Sequence, residues 1–286
     1  MNSSPVIQST SPRTLVIRES YYTALHYYQG KPWFARISWV SWIITIVTVA
    51  TWCFTAWQVA LAAGAQGTRA IIASVLSNAE NSDVLIAYGA KDNELILRGQ
   101  YWRFITPIFL HANLLHIGLN MLNFLILGII IERIFGHLRF LLLYLVTGII
   151  SVIASFYFEP QEIAVGASGA IFGIVGIYSA FVLMHRRALR ANGIPALLWL
   201  VLVIGVNLGI DFVIPNVDNY AHISGLLSGC LLGWIFTPYF VPASGKESTR
   251  LRWLDTHRLA RRWPLAVVTI VVTLLLAIMA LRFAGG

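Results

Sequence analysis

Three short stretches of this sequence carry side chains suited to nucleophilic chemistry. Ser168 lies in the run Gly166-Ala167-Ser168-Gly169 at the start of a strongly apolar segment. His222 begins a second apolar segment, and His116 and Asn120 lie four residues apart at the start of a third. A serine hydroxyl becomes a strong nucleophile when a base takes its proton, and a neutral histidine with a pKa near ~6.5 can be that base. These residue types predict a Ser168–His222 pair.

The same chemistry needs hydrogen-bond donors for the oxyanion of a tetrahedral intermediate. The side chains of His116 and Asn120 and the backbone N–H of Ser168 are the candidates, and one such donor contributes ~10²–10³ in rate. Asp218 lies four residues before His222 and could reach it as a third member. A helix-capping or loop role is the favoured interpretation for Asp218, so the sequence predicts a dyad.

Each of these signals is weak when taken alone. Gly-Ala-Ser-Gly also suits tightly packed membrane helices, and a single histidine or asparagine can join two helices by a hydrogen bond. Polar residues inside membrane spans are nevertheless candidates for function. The occurrence of all four at one membrane depth favours the chemical interpretation.

Membrane-spanning helices must position these residues, because the composition excludes an ordinary soluble domain. Of 286 residues, 58% are hydrophobic and 11% are charged, against roughly half and a quarter in soluble domains. The net charge of +8 comes from short basic segments between apolar runs, which indicates membrane topology and no nucleic-acid partner. Cys53 and Cys230 lie in apolar runs and are expected to be buried single thiols, with no disulfide framework and no metal site. We expect no removable signal peptide.

Apolar runs of about 20 residues, long enough to cross a bilayer as helices, recur along the chain. Pro264 is expected in the first turn of the last helix. Seven runs are predicted to span the membrane: 38–61, 113–131, 139–157, 166–184, 195–213, 220–237 and 264–282.

The basic residues orient these spans. Fifteen of the 20 Lys and Arg residues lie in segments on one side of the predicted topology, and five lie on the other. The positive-inside rule places the N-terminus in the cytoplasm and the C-terminus outside. Ser168, His222, His116 and Asn120 then all lie near the outer face. The outer connection, about 62–112, is expected to pack against the helices or to lie in the membrane interface.

Small residues predict how two of the spans meet. Gly225, Gly229 and Gly233 form a stripe on the sixth span, and Gly169 and Gly173 have the same spacing on the fourth. Small residues let helices approach closely in lipid. We expect the fourth and sixth spans to approach closely enough for Ser168 to hydrogen-bond to His222.

Two further pairs of residues are interpreted as structural. Glu132-Arg133, at the far end of the second span, is expected to be an ion pair or a cap. Trp102-Arg103, in the outer connection, is expected to anchor that segment in the membrane interface.

At these positions the chain resembles the rhomboid family of intramembrane serine proteases. The resemblance covers residues 85–238. It rests on motifs that follow one another in order: Tyr101-Trp102-Arg103; His111 with His116 and Asn120; Glu132-Arg133-Ile134-Phe135-Gly136; Gly166-Ala167-Ser168-Gly169; and Ala221-His222-Ile223-Ser224-Gly225 followed by Gly229.

The resemblance implies an all-α fold, a polytopic membrane bundle with a six-helix rhomboid core and one additional C-terminal transmembrane helix. The implied organisation is a cytoplasmic tail (1–37), a catalytic core (38–238), a basic cytoplasmic linker (239–263) and a seventh helix with the C-terminus (264–286). Because the extra helix follows the core and the block at 90–100 looks similar to bacterial members, the implied location is a bacterial cytoplasmic membrane.

The resemblance also implies a role for each site residue. Ser168 is the implied nucleophile and His222 the base, with His116 and Asn120 at the oxyanion. Phe172, one turn after the serine, packs against the base, and Gly166 supports the site. No cofactor is implied. The implied substrates are single-span membrane proteins, cut in the lipid bilayer near its outer face, with residues 197–211 of the fifth span as the entry gate.

Two other functions compete with proteolysis. A non-catalytic rhomboid-like adaptor would bind membrane clients without needing Ser168. A seven-helix transporter or receptor would need polar residues along a path through the whole bilayer. The predicted inner halves of the second, fourth and sixth spans are almost wholly apolar, which disfavours the transporter and the receptor.

Overall fold

The computed structural model describes residues 37–76, 80–185, 218–243, 252–255 and 257–284. It confirms the all-α class. The helices are α1 (Trp39–Ala62), α2 (Thr68–Leu76), α3 (Ser82–Ala87), α4 (Asn93–Leu97), α5 (Leu114–Phe135), α6 (His137–Phe158), α7 (Ser168–His185), α8 (Asn219–Phe236) and α9 (Leu259–Ala284). One small antiparallel pair, β1 (Phe240–Ala243) and β2 (Arg252–Asp255), lies between α8 and α9.

Five of these helices are long and apolar enough to cross a membrane: α1, α5, α6, α7 and α9. The predicted sixth span is α8, an 18-residue helix that is less apolar because it contains Asn219, His222, three glycines and two serines. The predicted fifth span, 195–213, lies outside the described residues. These helices make the chain an integral membrane protein.

The core lies between α5, α6 and α7. Phe124, Phe140 and Tyr144 are fully buried and pack ring against ring where α5 meets α6. Ile174, Ile177 and other buried apolar side chains of α7 join the same core. This packing fixes the three helices, and α7 carries Ser168 at its first residue.

The connection between α1 and α5, which we call the long loop (63–113), is built from α2, α3, α4 and two 3-10 turns. Arg103 is buried in it and donates to the carbonyl oxygens of Ile86 (2.8 Å) and Ala90 (2.7 Å). Its neighbour Trp102 is exposed. The prediction of an interface anchor is therefore wrong for Arg103, which hydrogen-bonds inside the loop because two backbone carbonyls need a donor there.

Glu132 is a buried cap for another helix. Its carboxylate accepts hydrogen bonds from the backbone N–H groups of Val40 (3.0 Å) and Ser41 (2.7 Å), in the first turn of α1. It also contacts Nδ1 of His137 at 2.5 Å. The first N–H groups of a helix have no intrahelical acceptor, so a carboxylate is favoured there. Of the two predicted roles for Glu132, the structure shows the cap.

Replacing Glu132 with alanine is expected to destabilise the protein. The backbone N–H groups of Val40 and Ser41 would lose their acceptor, and the buried Ser41 donor alone would cost about 1–3 kcal/mol. Arg133→Ala is the control because Arg133 is exposed one residue along the same helix. The midpoint of thermal unfolding in detergent should fall for Glu132→Ala alone, and equal midpoints for the two variants would contradict the capping role.

The C-terminal part is fastened to the end of the bundle opposite Ser168. Arg139 is buried, pairs with Asp255 at 2.8 Å and donates to the carbonyl oxygen of His257 at 2.8 Å. Helix α9 starts at Leu259, so Pro264 lies in the helix interior, which corrects its predicted place in the first turn. The contacts of Arg139 with Asp255 and His257 order the chain just before Leu259. This explains why α9 begins ahead of the apolar run.

The cysteines also depart from the prediction. Both thiols are unpaired, but Cys53 is exposed and Cys230 is half-buried. Cys53 lies on a face of α1 that no other described helix covers, next to exposed Phe54. An apolar sequence environment does not distinguish burial in protein from exposure to lipid, and this accounts for the error.

Candidate active site

Ser168 and His222 meet across the contact between α7 and α8. The hydroxyl oxygen of Ser168 lies 2.7 Å from Nε2 of His222, and the histidine is buried. This distance is within the range at which a histidine can take a proton from a serine. The two residues are 54 positions apart in sequence, so the packing of the two helices brings them together.

The glycine stripes allow that packing. A Cβ atom added to Gly225 would lie 2.1 Å from the carbonyl oxygen of Gly169, and one added to Gly229 would lie 2.1 Å from that of Gly173. The backbones of α7 and α8 are therefore in direct contact. The predicted close approach of these helices is found, and it sets the distance between Ser168 and His222.

Phe172 packs against one face of the His222 ring and holds its orientation. Its ring stacks on the His222 imidazole with centroids 4.6 Å apart and planes inclined by 28°. Phe172 lies one helical turn after Ser168, so the serine and the stacked aromatic ring project from one side of α7. The stacking limits rotation of the imidazole and keeps Nε2 directed at the hydroxyl group.

His116 and Gly166 also lie next to the serine. Gly166 has φ +126°, and a Cβ atom there would lie 2.7 Å from Nε2 of His116 and 3.7 Å from the Ser168 hydroxyl oxygen. The imidazole of His116 thus lies against the Gly166 backbone beside the serine. Only glycine fits, because both the backbone conformation and the nearby ring exclude a side chain.

Asn120 supports this part of the site from within α5. Its amide nitrogen donates to the carbonyl oxygen of His116, one turn earlier, at 3.0 Å, and the residue is buried. Asn113 caps the same helix by accepting from the His116 N–H at 2.8 Å. Asn120 therefore lies one turn from His116, and its amide group hydrogen-bonds to the backbone carbonyl of His116.

Asp218 takes the capping role that the sequence favours. Its carboxylate accepts from the Ala221 N–H at 2.8 Å at the start of α8. The cap holds the first turn of α8, in which His222 lies. Asp218 therefore contributes to the site by fixing the helix that carries the histidine.

His111 is the site residue whose role the sequence did not indicate. It is buried, and its Nε2 accepts a hydrogen bond from the Ala167 N–H at 3.3 Å. Its ring also packs edge-on against His116, with centroids 5.0 Å apart. The sequence placed His111 in one motif with His116 and Asn120, but nothing in it linked His111 to Ala167, 56 residues away.

Burial, and to a lesser extent neighbouring His116, lowers the pKa of His111 from its ordinary 6.5 to about 3. Between these two pH values the unfolded chain binds a proton at this position and the folded protein does not. Unfolding then takes up a proton, so the free energy of unfolding should fall as the pH falls from 6.5 to 3.

The measurement for His111 is the free energy of unfolding in detergent as a function of pH. His111→Gln keeps a hydrogen-bonding side chain but does not titrate, so its stability curve should lose part of the acid slope. Parallel curves for wild type and variant would contradict the buried neutral state.

Comparison with known proteins gives matches to one family. The profile of the Rhomboid domain matches residues 98–239. The chain is 44% identical over 150 residues to the rhomboid protease GluP of Bacillus subtilis, covering 52% of this chain and 29% of that protein. It is 39% identical over 171 residues to the Arabidopsis thaliana protein named RHOMBOID-like protein 6, mitochondrial, covering 59% and 54%.

A shorter relative is matched over most of its length. This chain is 36% identical over 141 residues to YdcA of Bacillus subtilis, covering 49% of this chain and 69% of that protein. The matches to GluP and to the Arabidopsis protein leave much of each relative uncovered, since the chain spans about a third to a half of their length. The matched region contains α5 to α8, on which the candidate site lies.

Proposed function

Because this chain belongs to the rhomboid family, we propose that it is an intramembrane serine endopeptidase with Ser168 as nucleophile and His222 as base. The observation that carries the proposal is the 2.7 Å contact between the Ser168 hydroxyl oxygen and Nε2 of His222. Membership of a family with protease-named relatives makes peptide-bond hydrolysis the reaction that this pair supports best.

In the proposed reaction His222 accepts the hydroxyl proton at Nε2 as the Ser168 oxygen attacks the peptide carbonyl. The new C–O bond gives a tetrahedral intermediate whose oxyanion lies between His116 and the backbone N–H of Ser168. The imidazolium of His222 then gives its proton to the leaving amine as the C–N bond breaks. Water, deprotonated by His222, then attacks the acyl carbonyl carbon. The ester C–O bond breaks, the imidazolium returns its proton to the Ser168 oxygen, and the new carboxyl group is released.

Each surrounding residue has a task in this sequence of steps. Phe172 holds the imidazole plane, and Gly166 leaves room for the His116 ring beside the serine. Asn120 holds the His116 turn and is also proposed to donate to the oxyanion. Preorganised donors of this kind are effective because they need no rearrangement as charge develops.

The proposed substrates are single-span membrane proteins cut within the bilayer. A helix hides its carbonyl groups in backbone hydrogen bonds, so a substrate must unwind locally before Ser168 can attack, and easily frayed segments are favoured. The distribution of basic residues supports a cytoplasmic N-terminus, an external C-terminus and a site near the outer face of a bacterial cytoplasmic membrane. The entry gate proposed at 197–211 lies outside the described residues.

An adaptor function is the alternative to proteolysis. An adaptor would bind membrane clients through its helices, and its function would not depend on the nucleophile. The arrangement of serine, histidine and stacked aromatic ring supports the protease.

The test is covalent labelling of the detergent-solubilised protein with a fluorophosphonate. The reagent reacts with an activated serine and leaves its phosphonyl group on the hydroxyl oxygen. Peptide mass mapping should place the adduct on Ser168, and not on Ser224 or Ser228 of α8, which hydrogen-bond within their own helix. A protein that cleaves no membrane substrate and takes no label at Ser168 would favour the adaptor.

A further inference from the structure

The segment that leads to Ser168 depends on contacts from elsewhere. Residues 159–167 connect α6 to α7 and form neither a helix nor a strand of a sheet. This segment contains Gly166 and ends at Ala167, so its path sets the position of the Ser168 backbone N–H. An irregular backbone keeps one conformation only where its polar groups are paired.

Those partners are in the long loop. Ala164 and Lys91 exchange backbone hydrogen bonds in both directions, at 3.0 and 3.3 Å. The Gly166 N–H donates to the carbonyl oxygen of Pro107 at 2.9 Å. Together with the hydrogen bond from Ala167 to His111, these bonds attach residues 164–167, which directly precede Ser168, to the long loop.

The side chain of Lys91 reinforces this attachment. Lys91 is fully buried, and its ammonium group donates to the carbonyl oxygens of Glu159 and Glu162, the latter at 2.7 Å. The neighbouring Asn93 donates to the carbonyl oxygen of Phe156 at 2.7 Å. The last carbonyls of a helix lack intrahelical donors and carry partial negative charge, so a cation is favoured at the end of α6.

The carboxylates that act on the Lys91 ammonium group belong to the segment before Ser168, to the start of α8 and to the long loop. Burial lowers the pKa of Lys91 to about 8, while the carboxylates of Asp218, Glu159, Glu162 and Asp92 act in the opposite direction. Of these four carboxylates, Asp218 raises the pKa of Lys91 most, and it caps α8 just before His222. The bonds to the carbonyl oxygens of Glu159 and Glu162 place the ammonium group beside the segment that leads to Ser168.

We propose that Lys91 is a positioning residue for the reaction: it fastens residues 159–164 to the long loop and so fixes Gly166 and the Ser168 backbone N–H. The inference rests on the proposed function, because positioning matters only if Ser168 reacts. A lysine is suited to this place because its three N–H donors can serve carbonyl groups that point in different directions.

The test uses three variants of the full chain. Lys91→Met keeps the length and apolar stem of the side chain but removes its charge and donors. Lys91→Arg keeps both. Arg98→Ala is the matched control, because Arg98 is an exposed cation of the same loop that pairs with Glu94 on its own helix.

Two measurements separate positioning from simple stability. Hydrogen exchange should show at least tenfold faster exchange at residues 159–167 in Lys91→Met, with the control unchanged. Cleavage of a membrane substrate, expressed per folded enzyme, should show kcat lowered by ~10–100-fold with KM within about twofold, as expected when a reacting group is misplaced. Lys91→Arg should recover part of both losses.

The outcomes distinguish this proposal from the one on which it depends. Exchange at 159–167 that is unchanged in Lys91→Met overturns the positioning role. A lower yield or melting temperature with kcat per folded enzyme unchanged also overturns it, since Lys91 would then serve stability alone. A wild-type protein that neither cleaves nor takes label overturns the proposed function itself, and the positioning role with it.

Discussion

Replacing Ser168 or His222 with alanine is expected to lower the rate of substrate cleavage at least ~10³-fold, to background. Ser168→Ala removes the atom that forms the acyl-enzyme. His222→Ala leaves the serine hydroxyl without the base at 2.7 Å, so its proton has no acceptor as the oxygen attacks. The two residues act as one unit, so the double variant should be no slower than either single variant.

The controls lie on the same two helices. Ser179→Ala on α7 and Ser224→Ala on α8 each remove a hydroxyl group that bonds to a backbone carbonyl of its own helix. Both should retain wild-type cleavage of a co-expressed membrane substrate, measured per folded protein. If Ser168→Ala still cleaves that substrate, the proposed nucleophile is wrong.

The elements that carry the site could be predicted from the sequence because each leaves a local pattern. The predicted spans at 113–131, 139–157, 166–184 and 220–237 correspond to α5, α6, α7 and α8, since an apolar run of membrane length has few alternatives to a helix. The glycine spacing on α7 and α8 predicted their close approach. From that approach the contact between Ser168 and His222 follows.

The parts that could not be predicted depend on irregular backbone or on distant partners. Lys91, His111 and Pro107 hold the segment before Ser168 through contacts that no periodicity records. Glu132 caps a helix that begins more than 90 residues earlier. Such contacts depend on how the long loop folds over the ends of the helices, and a loop is set by its polar pairing rather than by a repeating pattern.

Gly225→Ala is expected to damage the site strongly although it adds a single methyl group. The added carbon would lie 2.1 Å from the carbonyl oxygen of Gly169, a backbone atom that cannot rotate away. Helices α7 and α8 must then separate by about 1 Å to restore van der Waals contact, and a displacement of this size can cost ~10²-fold in rate. Overpacking of this kind also costs about 1–3 kcal/mol of stability.

The separation should act on the chemistry directly, because Ser168 and His222 lie on either side of this helix contact. We expect the rate of fluorophosphonate labelling, normalised to folded protein, to fall ~10²-fold. Gly118→Ala is the matched control: Gly118 lies on α5 between His116 and Asn120, and an added Cβ meets no atom within 4 Å. The control should label at the wild-type rate, and equal rates for the two variants would show that catalysis does not need the backbone contact of α7 with α8.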